Sequence, residues 1–265
     1  MYRITDTHAH YDNKQFNPDR KELLSSVAAS GIEAIINVGC SFRSSKESIA
    51  LAEAYPFIYA TVGVHPHDAK SLSDKELTKL EAMAAHEKVV AYGEIGLDFF
   101  HNFSPPNVQR HWFKEQLQLV ASLDLPVVIH SRDSAEETFS MIEKSPLRRG
   151  VIHSFSGDVM LAWNYANMGF HLGIGGPITF DKTRRLQNVV DALPLKKILL
   201  ETDCPYLTPA PYRGKRNISS YLTYVVDAIA EIKGITTEEV CVQTTANAQD
   251  LFGICGEQNA QGLDI

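Results

Sequence analysis

Four histidines and two carboxylates fall where a metal centre would need them. The stretch Asp6-Thr7-His8-Ala9-His10 sets two imidazoles two residues apart, and the two-residue period of an extended strand points both to one side. Glu94, His130 and His153 end short apolar runs, and a fourth run leads into Asp203. Imidazole and carboxylate without sulfur suit two divalent cations. Cys40, Cys204, Cys241 and Cys255 form no C-x-x-C pair that would suggest a thiolate site or a disulfide scaffold. Taken singly, each residue has an ordinary reading: an H-x-H pair on a surface, a partly buried strand-end histidine, a carboxylate capping a helix or pairing with arginine. What favours a site is that five strand ends carry such residues together.

Those residues need a scaffold that brings five strand ends to one place. Short β-branched runs at Tyr2–Asp6, Ala34–Val38, Ile58–Val62, Val89–Glu94, Val127–His130, Val151–His153, Phe170–Ile174 and Lys197–Glu201 read as eight strands. Helical patterns alternate with them over Pro18–Ser30, Ser44–Tyr55, Asp74–His86, Val108–Leu123, Ala135–Glu143, Val159–Asn167, Thr183–Asp191 and Ser219–Lys233. Apolar stripes at Phe113, Leu117 and Val120, and at Leu222, Val225, Val226 and Ile229, recur at helical spacing. Strand–helix alternation over 265 residues fits a closed (β/α)8 TIM barrel, an α/β fold. A doubly wound sheet would want a Gly-rich loop after its first strand, where this chain has THAHYD. The barrel is expected to span residues 1–265 as one domain, with a helical piece at 236–252 packed outside it. In such barrels the chemistry sits at the C-terminal rim of the strands.

Composition narrows the class. With 25 Lys and Arg against 32 Asp and Glu, the net charge of −7 argues against coating nucleic acid with a broad basic face. It leaves room for an enzyme that grips one phosphate in a cleft, because bound cations reverse the local field. The apolar runs fall far short of the roughly 18 residues a membrane span needs, and His8 and His10 stand where a signal peptide would be apolar. The expectation is a cytoplasmic monomer with no membrane or protein partner.

DTHAHYD, GVHPH (63–67), GEIGLDFF (93–100), PVVIHSRD (126–133), IHSFSG (152–157), LLETDCPYLTP (199–209) and RGKRN (213–217) together resemble the TatD family of metal-dependent hydrolases, within the amidohydrolase-type barrels. The resemblance implies that His8, His10, Glu94 and Asp203 hold one metal and that Glu94, His130 and His153 hold the second, with Glu94 shared. Two dications against two carboxylates leave about two positive charges, enough to activate a shared water and meet a phosphate oxygen. Asp203 is then the expected general base. His65 resembles a substrate-side histidine, and His67 reads as a surface one. Arg132 could fork onto a phosphate or pair with Asp133 or Glu136. Arg213, Arg216 and Asn217 are expected near the nucleic-acid backbone, and Tyr206 and Tyr212 where a base could stack. Phe99, Phe100 and Phe103 also sit on a rim loop where a base could stack, but packing under that loop is the expectation for them. Asp98 and Glu201 are expected behind the ligands, orienting them, and His171 is read as structural.

The leading expectation is a two-metal deoxyribonuclease acting as a 3′–5′ exonuclease on single-stranded or frayed DNA ends. The rivals are an amide or ester hydrolase, such as a deacylase of charged RNA, and a non-catalytic metal-stabilised barrel. The family points to Mg or Mn, whereas four imidazoles favour Zn on affinity.

Overall fold

The computed structural model describes residues 3–254, so Tyr2 and Cys255 lie outside the described residues. Eight strands, β1 (Ile4–Ala9), β2 (Ile32–Asn37), β3 (Ile58–Val62), β4 (Val89–Asp98), β5 (Val127–Arg132), β6 (Gly150–Ile152), β7 (His171–Ile174) and β8 (Ile198–Leu200), pair in parallel and in chain order. The ring is completed between β1 and the chain leaving β8. There the Thr7 hydroxyl donates to the Leu200 carbonyl (2.9 Å), the Asp203 amide donates to the His8 carbonyl (2.8 Å), and Ala9 pairs with Cys204. The fold is the (β/α)8 barrel.

Helices α1 (Arg20–Ala29), α2 (Phe42–Ala54), α3 (Asp74–Ala84), α4 (Pro106–Ala121), α5 (Ala135–Glu143), α6 (Val159–Asn167), α7 (Arg185–Ala192) and α8 (Leu222–Lys233) follow the strands in turn. Alternation along each strand separates two cores. Ala34, Ile36, Val38, Val90, Val128, Val151 and Leu199 form one cluster, while Ile35, Leu80, Phe113, Leu117, Val120, Val189 and Ile229 belong to the other, between sheet and helices.

The last helix, α9 (Thr237–Phe252), begins at a capping box in which Thr236 and Glu239 satisfy each other's backbone amides. The sequence suggested an outer cover; its position is the barrel floor. Ala248, Leu251 and Phe252 join the cluster of Ile36 and Val128, Thr245 Oγ1 donates to the Arg3 carbonyl (3.0 Å), and Asn247 Nδ2 donates to the Leu195 and Ile198 carbonyls. These carbonyls precede or open β1 and β8, so α9 seals the end opposite the chemistry. The interior cluster would otherwise be open to water there.

β1, β4 and β5 run past their expected ends, to Ala9, Asp98 and Arg132. Polar residues there look like loop in the sequence, yet Gly96, Leu97 and Asp98 continue the ladder opposite His130, Ser131 and Arg132. His8, Glu94 and His130 therefore sit on strand, while His10, His153 and Asp203 follow the ends of β1, β6 and β8.

His171 opens β7 and is buried, with an Nδ1 that has no hydrogen-bond partner. Burial first, and the nearby Lys197 charge second, push its pKa down to about 4. The unfolded chain then binds a proton that the folded chain refuses between about pH 6.5 and 4, so stability falls as pH falls through that window. His171→Gln is expected to remove about 2 kcal/mol of the stability loss between pH 7 and 5. Urea unfolding of both proteins at the two pH values checks this, and equal losses would refute it.

Candidate metal centre

The mouth of the barrel is held by a buried carboxylate that touches none of the other carboxylates. Asp6 Oδ1 accepts from the backbone amides of His8 and Thr202, and Oδ2 accepts from the hydroxyls of Thr202 (2.7 Å) and Ser219 (2.6 Å). Burial raises its pKa to about 6 against the pull of these donors. The network ties β1, with His8 and His10, to the segment carrying Asp203. On β4 the register with β5 shifts between Tyr92 and Ile95, a bulge that re-aims Glu94 toward the mouth. Gly93 and Gly96 flank it at φ +142° and +150°, and a Cβ on Gly96 would stand 1.9 Å from the His130 carbonyl oxygen, so only glycine lets β4 and β5 approach this closely.

The two oxygens of Glu94 face different imidazoles. Oε1 lies 2.8 Å from His130 Nδ1, 3.7 Å from His65 Nε2 and 4.0 Å from His153 Nε2; Oε2 lies 3.4 Å from His8 Nε2 and 3.8 Å from Cys40 Sγ. His10 Nε2 is 3.2 Å from His8 Nε2 and 3.3 Å from Asp203 Oδ1. His153 stacks on His8 with centroids 3.4 Å apart, and its Nε2 is 3.9 Å from Asp203 Oδ1. The six residues His8, His10, Glu94, His130, His153 and Asp203 are thus brought together as expected, and His65 joins them. Donor atoms of His8, His10 and Glu94, and separately of His65, Glu94 and His130, lie within 4.8 Å of one another.

This donor set fits divalent ions. Ligand bonds of about 2.0–2.2 Å at tetrahedral angles place donor atoms about 3.4 Å apart; His8–His10, His8–Glu94 and His10–Asp203 stand at 3.2, 3.4 and 3.3 Å, whereas Glu94 stands 2.8 Å from His130 and 4.0 Å from His153. The pair His8 Nε2 and His10 Nε2 has room for one shared proton or one cation between its lone pairs. Electrostatics agrees. Burial opposes ionisation of Glu94, but His65, His8, His153 and the hydrogen bond from His130 hold it well below the usual carboxylate range. Asp203 is likewise held low: burial acts against it, and the hydrogen bond with His10 and the His153 ring outweigh burial. Burial would lower His153, yet Glu201, then Glu94, lift it to about 9. The mouth is a place that draws positive charge.

Behind the donors stand the two carboxylates expected there. Glu201 Oε1 is 3.1 Å from His153 Nδ1 and accepts from the Ser154 amide. Asp98 Oδ2 is 3.2 Å from His130 Nε2 and 2.8 Å from His67 Nε2, while Oδ1 accepts from the amides of Phe100 and His101. Asp98 meets the Nε2 of His130 and leaves its Nδ1 toward Glu94, while Glu201 stands at ion-pair distance behind His153, whose Nε2 faces the mouth.

Several rim expectations need correction. Arg216 forms a bidentate ion pair with Asp19 and donates to the Gln15 carbonyl, so its charge is neutralised away from the mouth. Asn217 is fully buried, donating to the Thr202 and Tyr206 carbonyls, and holds the loop rather than a substrate. Tyr212 is stacked on Tyr221 (4.5 Å), with Tyr224 beside it and Lys215 Nζ 5.1 Å from its ring centre, so it is packed among loop residues instead of standing clear at the rim. Arg213 donates to the Thr208 carbonyl and lies 3.9 Å over the Phe180 ring. Tyr206 stays exposed, 6.4 Å from the His10 ring, its hydroxyl accepting from Asn13. Arg132 shows no carboxylate partner among the described residues; it contacts His101 Nε2 (3.3 Å) and the Phe100 face (4.2 Å). His67 is half-buried, not a surface histidine. Phe99 packs inward, but Phe100 and Phe103 are 56% and 58% exposed.

Two features escaped sequence reasoning. Cys40, just after β2, sits 3.6 Å from His10 Nδ1, and burial raises its thiol to about 11, so it is a neutral neighbour of the donors. A single cysteine outside any paired motif carries no signal of that position. His101, with His67 and Asp98, makes a further donor group at the rim. The HPH triplet at 65–67 was the available hint.

A parallel eight-stranded barrel with imidazoles and carboxylates gathered at its C-terminal mouth is the architecture of a metal-dependent hydrolase. The family model "TatD related DNase" matches residues 5–253, and the chain belongs to that family of enzymes. It is 39% identical to "Uncharacterized metal-dependent hydrolase YabD" of Bacillus subtilis, over 95% of this chain and 99% of that one. It is 36% identical to the "3'-5' ssDNA/RNA exonuclease TatD" of Cronobacter sakazakii, over 91% and 94%. The crystal structure of the TatD homologue YjjV from Escherichia coli superposes with a TM-score of 0.89 at 32% identity, over 95% of this chain and 98% of that one.

Proposed function

We propose that this protein is a two-metal phosphodiesterase that removes nucleotides from the 3′ ends of single-stranded DNA. The observation that carries the reading is Glu94, whose two oxygens face separate imidazole sets. One ion would take His8, His10, Glu94 and Asp203; the other would take Glu94, His130 and His153, with His65 beside them. When bound, the ions would supply positive charge that acidifies a water and stabilises phosphate oxygens. Six imidazole and carboxylate ligands admit Mg, Mn or Zn, and Mg or Mn is the reading for activity.

Asp203 acts as the general base. Its side chain is 16% exposed against 4% for Glu94, so it is the carboxylate that solvent reaches, and it is ionised at neutral pH. Asp98 would hold His130 in one tautomer, and the Glu201 carboxylate beside His153 favours a proton on its Nδ1. Tyr206, on the segment after β8, would serve a base, and Arg132, the last residue of β5, a phosphate. The name of the Cronobacter relative supports the polarity and the single-stranded substrate.

A site sunk in the barrel mouth, on a chain of net charge −7, suits a threaded end better than a long duplex track. Linear single-stranded DNA should therefore be degraded with Mg or Mn present, and covalently closed circles of the same sequence should survive. Circles cut as fast as the linear form would overturn the requirement for an end. A released acid from acylated RNA, with no nucleotide released from DNA, would replace the nuclease with a deacylase.

Arg132→Ala is expected to raise KM for DNA about tenfold and flatten its salt dependence by about one phosphate contact, with metal content unchanged. An unchanged KM at low and high salt would remove Arg132 from the substrate path.

A further inference from the structure

The loop between β4 and α4 displays aromatic rings that a loop of this construction has no structural reason to expose. Phe99, the first of them, packs on the core, with Arg110 over its ring at 4.9 Å. Phe100 and Phe103 are instead more than half exposed. The loop is not loosely held. Asp98 Oδ1 accepts from the amides of Phe100 and His101, Asn102 Nδ2 donates to the Phe99 carbonyl, and Gln109 Nε2 donates to the carbonyls of Asp98 and Ser104.

The rings form a ladder with cations beside it. Arg132 covers one face of Phe100 at 4.2 Å, His101 stacks on Phe103 at 5.1 Å and 15°, and His67 meets the Phe103 ring edge-on at 4.8 Å. Lys70 Nζ donates to the Phe103 carbonyl and is exposed. Arg132 has no carboxylate partner among the described residues, and its charge beside His101 favours an anion over another cation at this spot. Through Asp98 the ladder is joined to His130, whose Nδ1 lies 2.8 Å from Glu94. Aromatic faces alternating with unpaired cations are the chemistry that holds single-stranded nucleic acid, bases on rings and phosphates on cations.

We propose that the β4–α4 loop is a nucleotide-stacking platform, on which Phe100 and Phe103 hold bases of the strand flanking the scissile phosphate while Arg132 and Lys70 meet its phosphates. The proposal rests on the phosphodiesterase reading of the mouth and adds a subsite to it. A single-stranded substrate is selected because a base inside a duplex has no free face to offer either ring.

Phe100→Ala, Phe103→Ala and Phe103→Tyr are compared with wild type on a single-stranded oligonucleotide and on methyl p-nitrophenyl phosphate, a phosphodiester without a base, with Mn present. Each alanine variant should raise KM for the oligonucleotide about tenfold, with kcat within about twofold and with the base-free diester discriminating the variants little. Phe103→Tyr, which keeps a stacking face, should restore a near-normal KM. Equal oligonucleotide KM in all variants would overturn the platform and leave the nuclease reading standing. Equal losses on both substrates, with a lowered Tm, would show that the rings only support the loop. A wild type that hydrolyses the base-free diester but no oligonucleotide would overturn both readings.

Discussion

Glu94→Ala is expected to lower turnover by about 10³ or more and to deplete metal from both positions at once. Each of its oxygens faces a separate set of imidazoles, so no other side chain at the mouth can replace it in both. The loss also removes the negative charge that offsets the buried histidines, which makes any remaining ion less welcome. Metal content per chain, measured on purified protein, is the direct test. Two ions still bound by the variant would overturn the shared-ligand assignment. A second readout does not depend on activity. Metal added at about 100 times its Kd should stabilise wild type by about 2.7 kcal/mol, and this metal-dependent rise in Tm should shrink in the variant.

Asp203→Asn is expected to cut kcat by about 10² or more while KM changes little. Asparagine keeps the shape and one ligating oxygen, so much of the metal should stay, but it cannot accept a proton. Because the wild-type carboxylate is held below the usual range against its own burial, it is available as a base across neutral pH. The defect should therefore persist from pH 6 to 9. Near-normal turnover over that span would make Asp203 a ligand only and move the base elsewhere.

Much of this molecule is written locally. Apolar runs of strand length, the helical stripe of Phe113, Leu117 and Val120, and the capping box at Thr236 each depend on neighbours a few residues away, so eight strands and their helices can be read in order from the chain. The gathering of His8, His10, Glu94, His130, His153 and Asp203 at one mouth was equally legible. A parallel barrel sends every strand's C-terminal end to one face, and the strand period then decides which side chains point inward. Position at a strand end was enough to group them.

The rest depended on contacts between residues distant in sequence. Arg216 looks like a phosphate ligand until Asp19, across the closing seam of the barrel, takes both of its nitrogens. Asn217 looks available until the loop folds over it, and Tyr212 until Tyr221 covers its face. Phe100 and Phe103 follow the opposite course: apolar residues expected under their loop stand outside it, on a backbone held by hydrogen bonds from Phe100 to Asp98, from Gln109 to Ser104 and from Lys70 to Phe103. The end of the barrel that α9 covers was also beyond sequence reading, because that helix's stripe fits any apolar surface and only the open floor of the sheet selects one. Residue type and strand position determined the chemistry of the centre, while partner choice, which requires the folded neighbours, determined which rim side chains remain free to meet a substrate.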